Sequence, residues 1–176
     1  MQYKTFSTKW GDPTFGTESG EIEWSMDLLG GLKIRSGYDV DDLEQATRAA
    51  FDRWEEVANI DFTEVNSGAD LTISTGVLAG GTVGQARWGG FPSTRWGEIT
   101  MDEEPRWAPY GQGGTDWYAV MLHEIGHIMG LDHFNDVNQI MNPFVAADFS
   151  ISSVSTCFKF WLGACSLAQP DVRTLN

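Results

Sequence analysis

The stretch HEIGHIMGLDH, residues 123–133, constrains this 176-residue chain more than any other, because it holds all three of its histidines. On a helix, His123 and His127 lie on one face, so both imidazoles can reach a single metal ion. If that helix continued, His133 would lie about 15 Å farther along its axis. Gly130 can adopt a positive φ that ends the helix and turns the chain back. The spacing therefore predicts a helix, a turn and a three-histidine metal site.

Three protein ligands leave the fourth position of a tetrahedral zinc ion open for water, as a catalytic site requires. Glu124 follows the first ligand and lies at the edge of the same helical face. Its carboxylate is placed to take a proton from that water, which is the role of a general base. The pattern HExxHxxGxxH thus favours a zinc hydrolase with one catalytic ion. The alternative is that these are ordinary histidines of a helix surface or core.

Composition limits the classes of function. The formal net charge of −14 argues against nucleic acid as a partner, because phosphate would be repelled. With 41 % hydrophobic residues, the chain can bury the core of one domain. No apolar run is long enough to predict a membrane span, and no apolar leader follows Met1. A secreted protein would then need a leader that this chain lacks, or another export signal. Cys157 and Cys165 form one loop disulfide or remain two free thiols.

Hydrophobic periodicity predicts an α+β (mixed α/β) fold with one twisted sheet. An amphipathic helix is expected over residues 39–58, with Asp39 as its N-cap. A second helix is expected from Thr115 or Asp116 to Gly130. Alternating residues predict strands at 21–26, 60–65, 69–74, 82–87 and 97–101.

Beyond the histidines, the sequence resembles the matrixins, metzincin zinc endopeptidases in which HExxHxxGxxH precedes a Met-turn. The segment IMNPF places Met141 eight residues after His133, a spacing similar to that of matrixins. The segments AAFDRWEEVANIDFTEV, ADLTIS, GTVGQARW and GEITMDEEPRW resemble the matrixin helix and strands upstream of the site, so the likeness covers about residues 8–145. It implies one catalytic domain over residues 1–176. Its upper subdomain would span about 1–133, and a small irregular lower subdomain about 134–176.

The resemblance also implies roles for individual residues. Met141 would form a hydrophobic floor under the metal, a role close to that of a plain core methionine. The strand TVGQAR would be an edge strand that pairs antiparallel with substrate, rather than an ordinary covered strand. The implied substrate-binding residues are Val83, Gly84, Gln85 and Ala86 on this strand, and Pro143, Phe144 and Val145 around the main pocket.

Two departures from the matrixin pattern concern metals. Matrixins usually hold a second, structural zinc through further histidines, but this chain has none left, and Thr100 stands where one ligand would fall. We therefore expect a single zinc ion. The acidic run that forms a matrixin calcium site is partly matched, so calcium at Asp102 is a further expectation. The alternative for that run is a solvated acidic turn.

The sequence thus predicts a secreted, monomeric, zinc-dependent endopeptidase that acts on proteins or peptides. One rival is a non-catalytic peptide- or protein-binding module on the same fold, and another is a zinc hydrolase of non-peptide bonds. Tryptophan side chains stack on carbohydrate in some proteins, but they more often anchor cores and loops. We expect the latter for Trp88, Trp96, Trp107 and Trp117.

Overall fold

A computed structural model describes residues 10, 14, 17–28, 30–90, 95–136 and 139–144 of the chain. These residues form a mixed α/β fold with a five-stranded sheet, a small second sheet and two helices. This confirms the predicted fold class. The proposed lower subdomain falls mostly outside the described residues, as do Cys157, Cys165 and Val145. Within the described residues, no helix is long and apolar enough to cross a membrane.

The first helix, α1, spans Val40–Val57 and confirms the helix predicted at residues 39–58. Its N-terminus is a capping box. The Asp39 carboxylate accepts the backbone N–H of Asp42, and the Asp42 carboxylate accepts that of Asp39. Two otherwise unpaired donors are satisfied in this way. The buried face of α1 consists of Leu43, Ala46, Thr47, Ala50, Phe51, Trp54 and Val57.

The main sheet has the strand order β3-β1-β4-β6-β5. Its strands are β1 (Glu21–Asp27), β3 (Asp61–Glu64), β4 (Leu71–Gly76), β5 (Gly84–Gly89) and β6 (Trp96–Asp102). All neighbours pair in parallel except β5, which runs antiparallel to β6. Strand β5 therefore lies at one edge of the sheet, next to the second helix, α2 (Trp117–Ile128).

The five predicted strands are present, but two are displaced by two residues: β4 from its predicted bounds of 69–74, and the edge strand β5 from its predicted bounds of 82–87. Gly80 and Gly81 both have positive φ, which keeps the preceding chain in a loop. Val83 therefore belongs to that loop rather than to β5.

A second sheet with the order β2-β7-β8 was not predicted. Its parallel strands are β2 (Lys33–Ile34), β7 (Arg106–Ala108) and β8 (Thr115–Asp116). Each has only two or three residues, which is too short to show a hydrophobic period. The sheet holds the chain immediately before α2, because β8 ends where that helix begins.

The core lies between the two helices and the main sheet. The indole N–H of Trp54 donates to the Leu122 carbonyl at 3.0 Å, and that of Trp117 donates to the Thr47 hydroxyl at 2.9 Å. Both bonds join α1 to α2 inside the core. Trp107 and Trp117 are completely buried with their rings edge to face, as expected for core anchors.

Candidate active site

Helix α2 carries the first two histidines and ends where the sequence predicted. Its N-cap is Asp116, whose carboxylate accepts the backbone N–H of Ala119 at 3.0 Å. At the other end, Gly130 has a φ of 97° and donates its N–H to the His127 carbonyl at 2.9 Å. This conformation turns the chain back towards the helix. His133 consequently returns to the face that carries His123 and His127.

The three imidazoles converge through their Nε2 atoms. The Nε2–Nε2 distances are 3.1 Å between His123 and His127, 3.2 Å between His127 and His133, and 3.3 Å between His123 and His133. Ligand atoms about 2.05 Å from a tetrahedral ion lie about 3.3 Å apart. The described residues contain no other such group of His, Cys, Asp or Glu ligand atoms. The spacing of the nitrogens therefore fits a single zinc ion.

The tautomers of two histidines support the same conclusion. Nδ1 of His123 lies 2.7 Å from the Ile140 carbonyl, and Nδ1 of His127 lies 2.7 Å from the Leu131 carbonyl. A carbonyl oxygen only accepts, so each Nδ1 must carry the hydrogen. Each neutral ring then has a bare lone pair on Nε2. Lone pairs directed at one another from about 3 Å repel unless a cation lies between them.

Burial keeps these rings neutral. Loss of hydration lowers the pKa of His123 to about 4 and also lowers the pKa of His127, each against the opposing effect of its backbone carbonyl. The neutral imidazole is the form that binds a metal ion, so the environment of the site favours the ligand state.

The side chain of Glu124 extends from α2 towards the edge strand, and 6 % of the residue's surface is exposed. Burial raises the pKa of its carboxyl group to about 7, and a hydrogen bond from the Ala86 N–H acts in the opposite direction. A pKa near neutrality is that of a group able both to accept and to donate a proton. Gly84 lies so close that a Cβ atom there would be 2.9 Å from Glu124 Oε1.

Met141 is completely buried beneath the histidines. A Cβ atom on Gly126 would collide with its sulfur, so the side chain packs directly on the helix backbone between His123 and His127. The preceding residue supplies the carbonyl that holds His123. This is the position of a core methionine, and its role as a floor under a metal ion stays a prediction.

A cleft of about 770 Å³ passes in front of the histidines and Glu124. It brings together six of the seven predicted substrate-binding residues, and Val145 lies outside the described residues. Those six are Val83, Gly84, Gln85, Ala86, Pro143 and Phe144. The exposed fraction of Phe144 is 83 %, so this ring stands at the rim.

Several residues of the cleft were not predicted. Its walls include Gly80, Gly81 and Thr82 before β5, and Gly114 and Thr115 before α2. The ring of Trp88 lies nearly parallel to that of His127, with centroids 6.5 Å apart. The glycine-rich composition between residues 76 and 114 was the available signal. Glycine in a strand or loop indicates that another group lies close to the backbone, but the sequence does not show which group that is.

Asp102, the predicted calcium ligand, is buried with 5 % of its surface exposed. One oxygen of its carboxylate accepts the backbone N–H of Leu78 at 2.9 Å. The carboxylate is thus bonded to the loop that precedes β5, and a calcium ion at this position stays a prediction.

Comparison with known proteins agrees with this geometry. The sequence model of the matrixin family matches residues 32–155, well over half of the chain. The chain is 29 % identical to stromelysin-2 of Rattus norvegicus over 140 residues, which are 73 % of this chain and 29 % of the relative. It is 33 % identical to macrophage metalloelastase of Oryctolagus cuniculus over 114 residues, covering 58 % of this chain and 24 % of the relative.

A third similar protein is matrix metalloproteinase-16 of Homo sapiens, which is 32 % identical over 119 residues. That alignment covers 57 % of this chain and 19 % of the relative. The chain thus spans less than a third of the length of each of these three relatives.

Proposed function

Because the chain belongs to the matrixin family, we propose that it is a zinc-dependent endopeptidase with its active site at the carboxyl end of α2. In this proposal His123, His127 and His133 hold one zinc ion, and Glu124 is the general base. The observation that carries it is the convergence of three Nε2 atoms within 3.3 Å beside a buried glutamate in an open cleft.

A bound zinc ion supplies Lewis acidity, which polarises a substrate carbonyl and acidifies water. Glu124 takes the proton of the attacking water and passes it to the leaving amine. Burial of its carboxyl group favours uptake of the proton, and the carboxyl group must gain and lose a proton in one cycle. The Ala86 N–H that bonds Glu124 also belongs to the edge strand, so the base and that strand are held together.

Strand β5 is the proposed substrate platform. It lies at the edge of the main sheet and lines the cleft through Gly84, Gln85 and Ala86. An extended peptide can add to such an edge through backbone hydrogen bonds, with its side chains chosen by pockets. The opposite edge, β3, carries Asp61 and Glu64, and charged side chains oppose pairing with another strand. We therefore propose protein or peptide substrates, with Val83, Pro143, Phe144 and Val145 flanking the bound segment.

We further propose that the chain forms one domain, that Met141 supports the zinc ligands from below, and that the protein works outside the cell as a monomer. The close packing of Met141 on Gly126 and the Ile140 carbonyl bond to His123 support its positioning role. The net charge of −14 suits a solvated extracellular surface.

The test is hydrolysis of a mixed peptide library, with zinc measured on the same samples, by the native chain and by Glu124→Gln. Glutamine keeps the shape of the side chain but cannot act as a base. We expect one zinc per chain in both proteins and a rate at least about 100-fold lower in the variant, since general-base catalysis typically contributes that much.

Each other outcome has a defined meaning. Equal cleavage by both proteins would remove Glu124 from the mechanism. Bound zinc without cleavage in either protein would favour the peptide-binding module or a hydrolase of non-peptide bonds. A native chain that binds no zinc would overturn the proposal.

A further inference from the structure

A second, smaller pocket lies at the far end of the edge strand from Glu124. It has a volume of about 170 Å³ and lies among Trp10, Trp88, Gly89, Gly90, Arg95, Trp96 and Ile128. Pockets for drug-sized ligands have volumes of about 300–1,000 Å³, so this one suits a single side chain. We name it the tryptophan pocket.

The walls of the tryptophan pocket are fixed by packing. The indole N–H of Trp10 donates to the Ile128 carbonyl at 2.9 Å, which attaches this wall to the end of α2. The ring of Trp96 lies against Gly89, where a Cβ atom would approach it to 2.8 Å. A larger residue at Gly89 would therefore displace the ring, and the glycine keeps this wall in place.

Arg95 brings a positive charge to these aromatic walls. In the described part of the chain no carboxylate forms an ion pair with Arg95, and the same holds for Arg35, Arg87 and Arg106. Burial lowers the pKa of the guanidinium, and no acid among the described residues acts against this effect. A chain with 25 acidic and 11 basic residues thus leaves a partly desolvated cation beside a pocket. Such a charge is complementary to a carboxylate.

The tryptophan pocket and the proposed cleft share no lining residue, but Trp88 brings a wall of the pocket close to a wall of the cleft. This side chain lines the pocket, and its ring lies nearly parallel to the ring of His127, which lines the cleft. A peptide added along β5 from Gly84 to Gly89 would cover five residue steps, about 17 Å. A substrate residue three to five positions from the scissile bond would then reach the pocket.

We propose that the tryptophan pocket is a substrate subsite that selects an acidic side chain, with Arg95 pairing with its carboxylate. This inference rests on the proposed function, because it uses the edge strand as the substrate platform. It assigns the preference to one peptide position on one side of the scissile bond. The direction in which the peptide runs along β5 decides which side.

The experiment compares peptides that differ only by glutamate or glutamine at one position, with the acid moved through five positions on each side of the cleaved bond. The native chain should prefer glutamate by about three- to tenfold in kcat/KM at one position, the range of a partly desolvated ion pair. Arg95→Gln should remove that preference, and Arg95→Lys should keep part of it. Raising the salt concentration should weaken it.

Arg87→Gln is the matched control, because it removes the same charge from β5. Successive strand residues point to opposite faces of the sheet. Because Trp88 lines the tryptophan pocket, the neighbouring Arg87 points away from it. This variant should retain the glutamate preference. Equal kcat/KM values for glutamate and glutamine peptides at all positions would overturn the proposal, as would an equal loss of preference in both arginine variants.

Binding separates the failure of the subsite from the failure of the proposed enzyme. The same labelled peptides are titrated into the Glu124→Gln protein, and affinity is measured by fluorescence anisotropy. Tighter binding of the glutamate peptide that depends on Arg95 supports the subsite even if no peptide is cleaved. Equal affinities refute it even if the native chain is an active endopeptidase.

Discussion

At the scale of single residues, Gly84 lies where the edge strand meets Glu124, the proposed general base. A Cβ atom there would lie 2.7 Å from a methyl group of Val120 and 2.9 Å from the carboxylate of Glu124. Both neighbours belong to α2, and the β-branched side chain of Val120 has little freedom to move in a helix. The glycine therefore sets how closely β5 approaches Glu124.

Gly84→Ala should displace Glu124 more than it damages the fold. We expect kcat/KM on a cleaved peptide to fall by about 10- to 100-fold, since a shift of about 1 Å in a catalytic group can cost 100-fold. The free energy of unfolding should fall by about 1–3 kcal/mol, as for other overpacked sites. Zinc content should not change, because the three atoms nearest to an added Cβ belong to Val120 and Glu124 and not to a histidine.

The matched control is Gly76→Ala at the end of β4, where an added Cβ would meet only a methyl group of Thr100 at 3.2 Å. Kinetic assays and urea denaturation should show a small effect on both properties. If Gly84→Ala left kcat/KM at the native value, the close approach to Glu124 would have no catalytic consequence.

At the scale of elements, the loop of residues 77–83 joins β4 to β5 and contributes to the cleft wall. Asp102, at the end of β6, is bonded to both ends of this loop. Its carboxylate accepts the Leu78 N–H at 2.9 Å, and its own N–H donates to the Val83 carbonyl at 3.0 Å. Asp102 therefore acts as a clamp made of hydrogen bonds, at the position where the sequence led us to expect calcium.

Substitutions at Asp102 distinguish the clamp from a calcium site. Asp102→Asn keeps an oxygen that accepts the Leu78 N–H, so its melting temperature should stay near that of the native chain. Asp102→Ala removes the acceptor of a partly buried N–H and should lose about 0.5–1.5 kcal/mol of unfolding free energy. Thermal denaturation with and without calcium is the measurement. A calcium-dependent rise in melting temperature that both variants abolish would establish the ion site instead.

At the scale of the whole molecule, the three proposed zinc ligands bring together helix α2, the turn that follows it and the segment around Met141. Two come from α2 and the third follows the Gly130 turn, while the segment around Met141 supplies the carbonyl for His123. An ion that binds this arrangement, and not the unfolded chain, stabilises the folded state by mass action.

Removal of zinc should therefore lower the melting temperature. With free zinc about 100-fold above its Kd, the expected difference is about 5–10 °C for a chain of this size. Calorimetry of the native chain with zinc or with a chelator is the measurement, and His133→Ala is the control, whose melting temperature should respond far less. A native melting temperature that does not change with the chelator would contradict the fit of the site to zinc.

The sequence alone was enough to predict α1, α2, the five main strands and the convergence of His123, His127 and His133. These features follow from patterns that act within one element: hydrophobic periodicity, caps, and ligand spacing along a single helix with a glycine turn. The resemblance to matrixins added which edge of the sheet faces the cleft, a position that the strand order confirms.

The tertiary structure decided what those local patterns could not. The second sheet has strands of two or three residues that exist only through pairing between distant segments, so no local period marks them. The carbonyls that set the histidine tautomers, the approach of Gly84 to Glu124 and the meeting of Trp10, Trp88 and Arg95 likewise depend on packing across elements. A short motif determines which side chains lie together on one helix, strand or turn. The sum of many weak contacts over the whole chain determines which groups of other elements pack against those side chains.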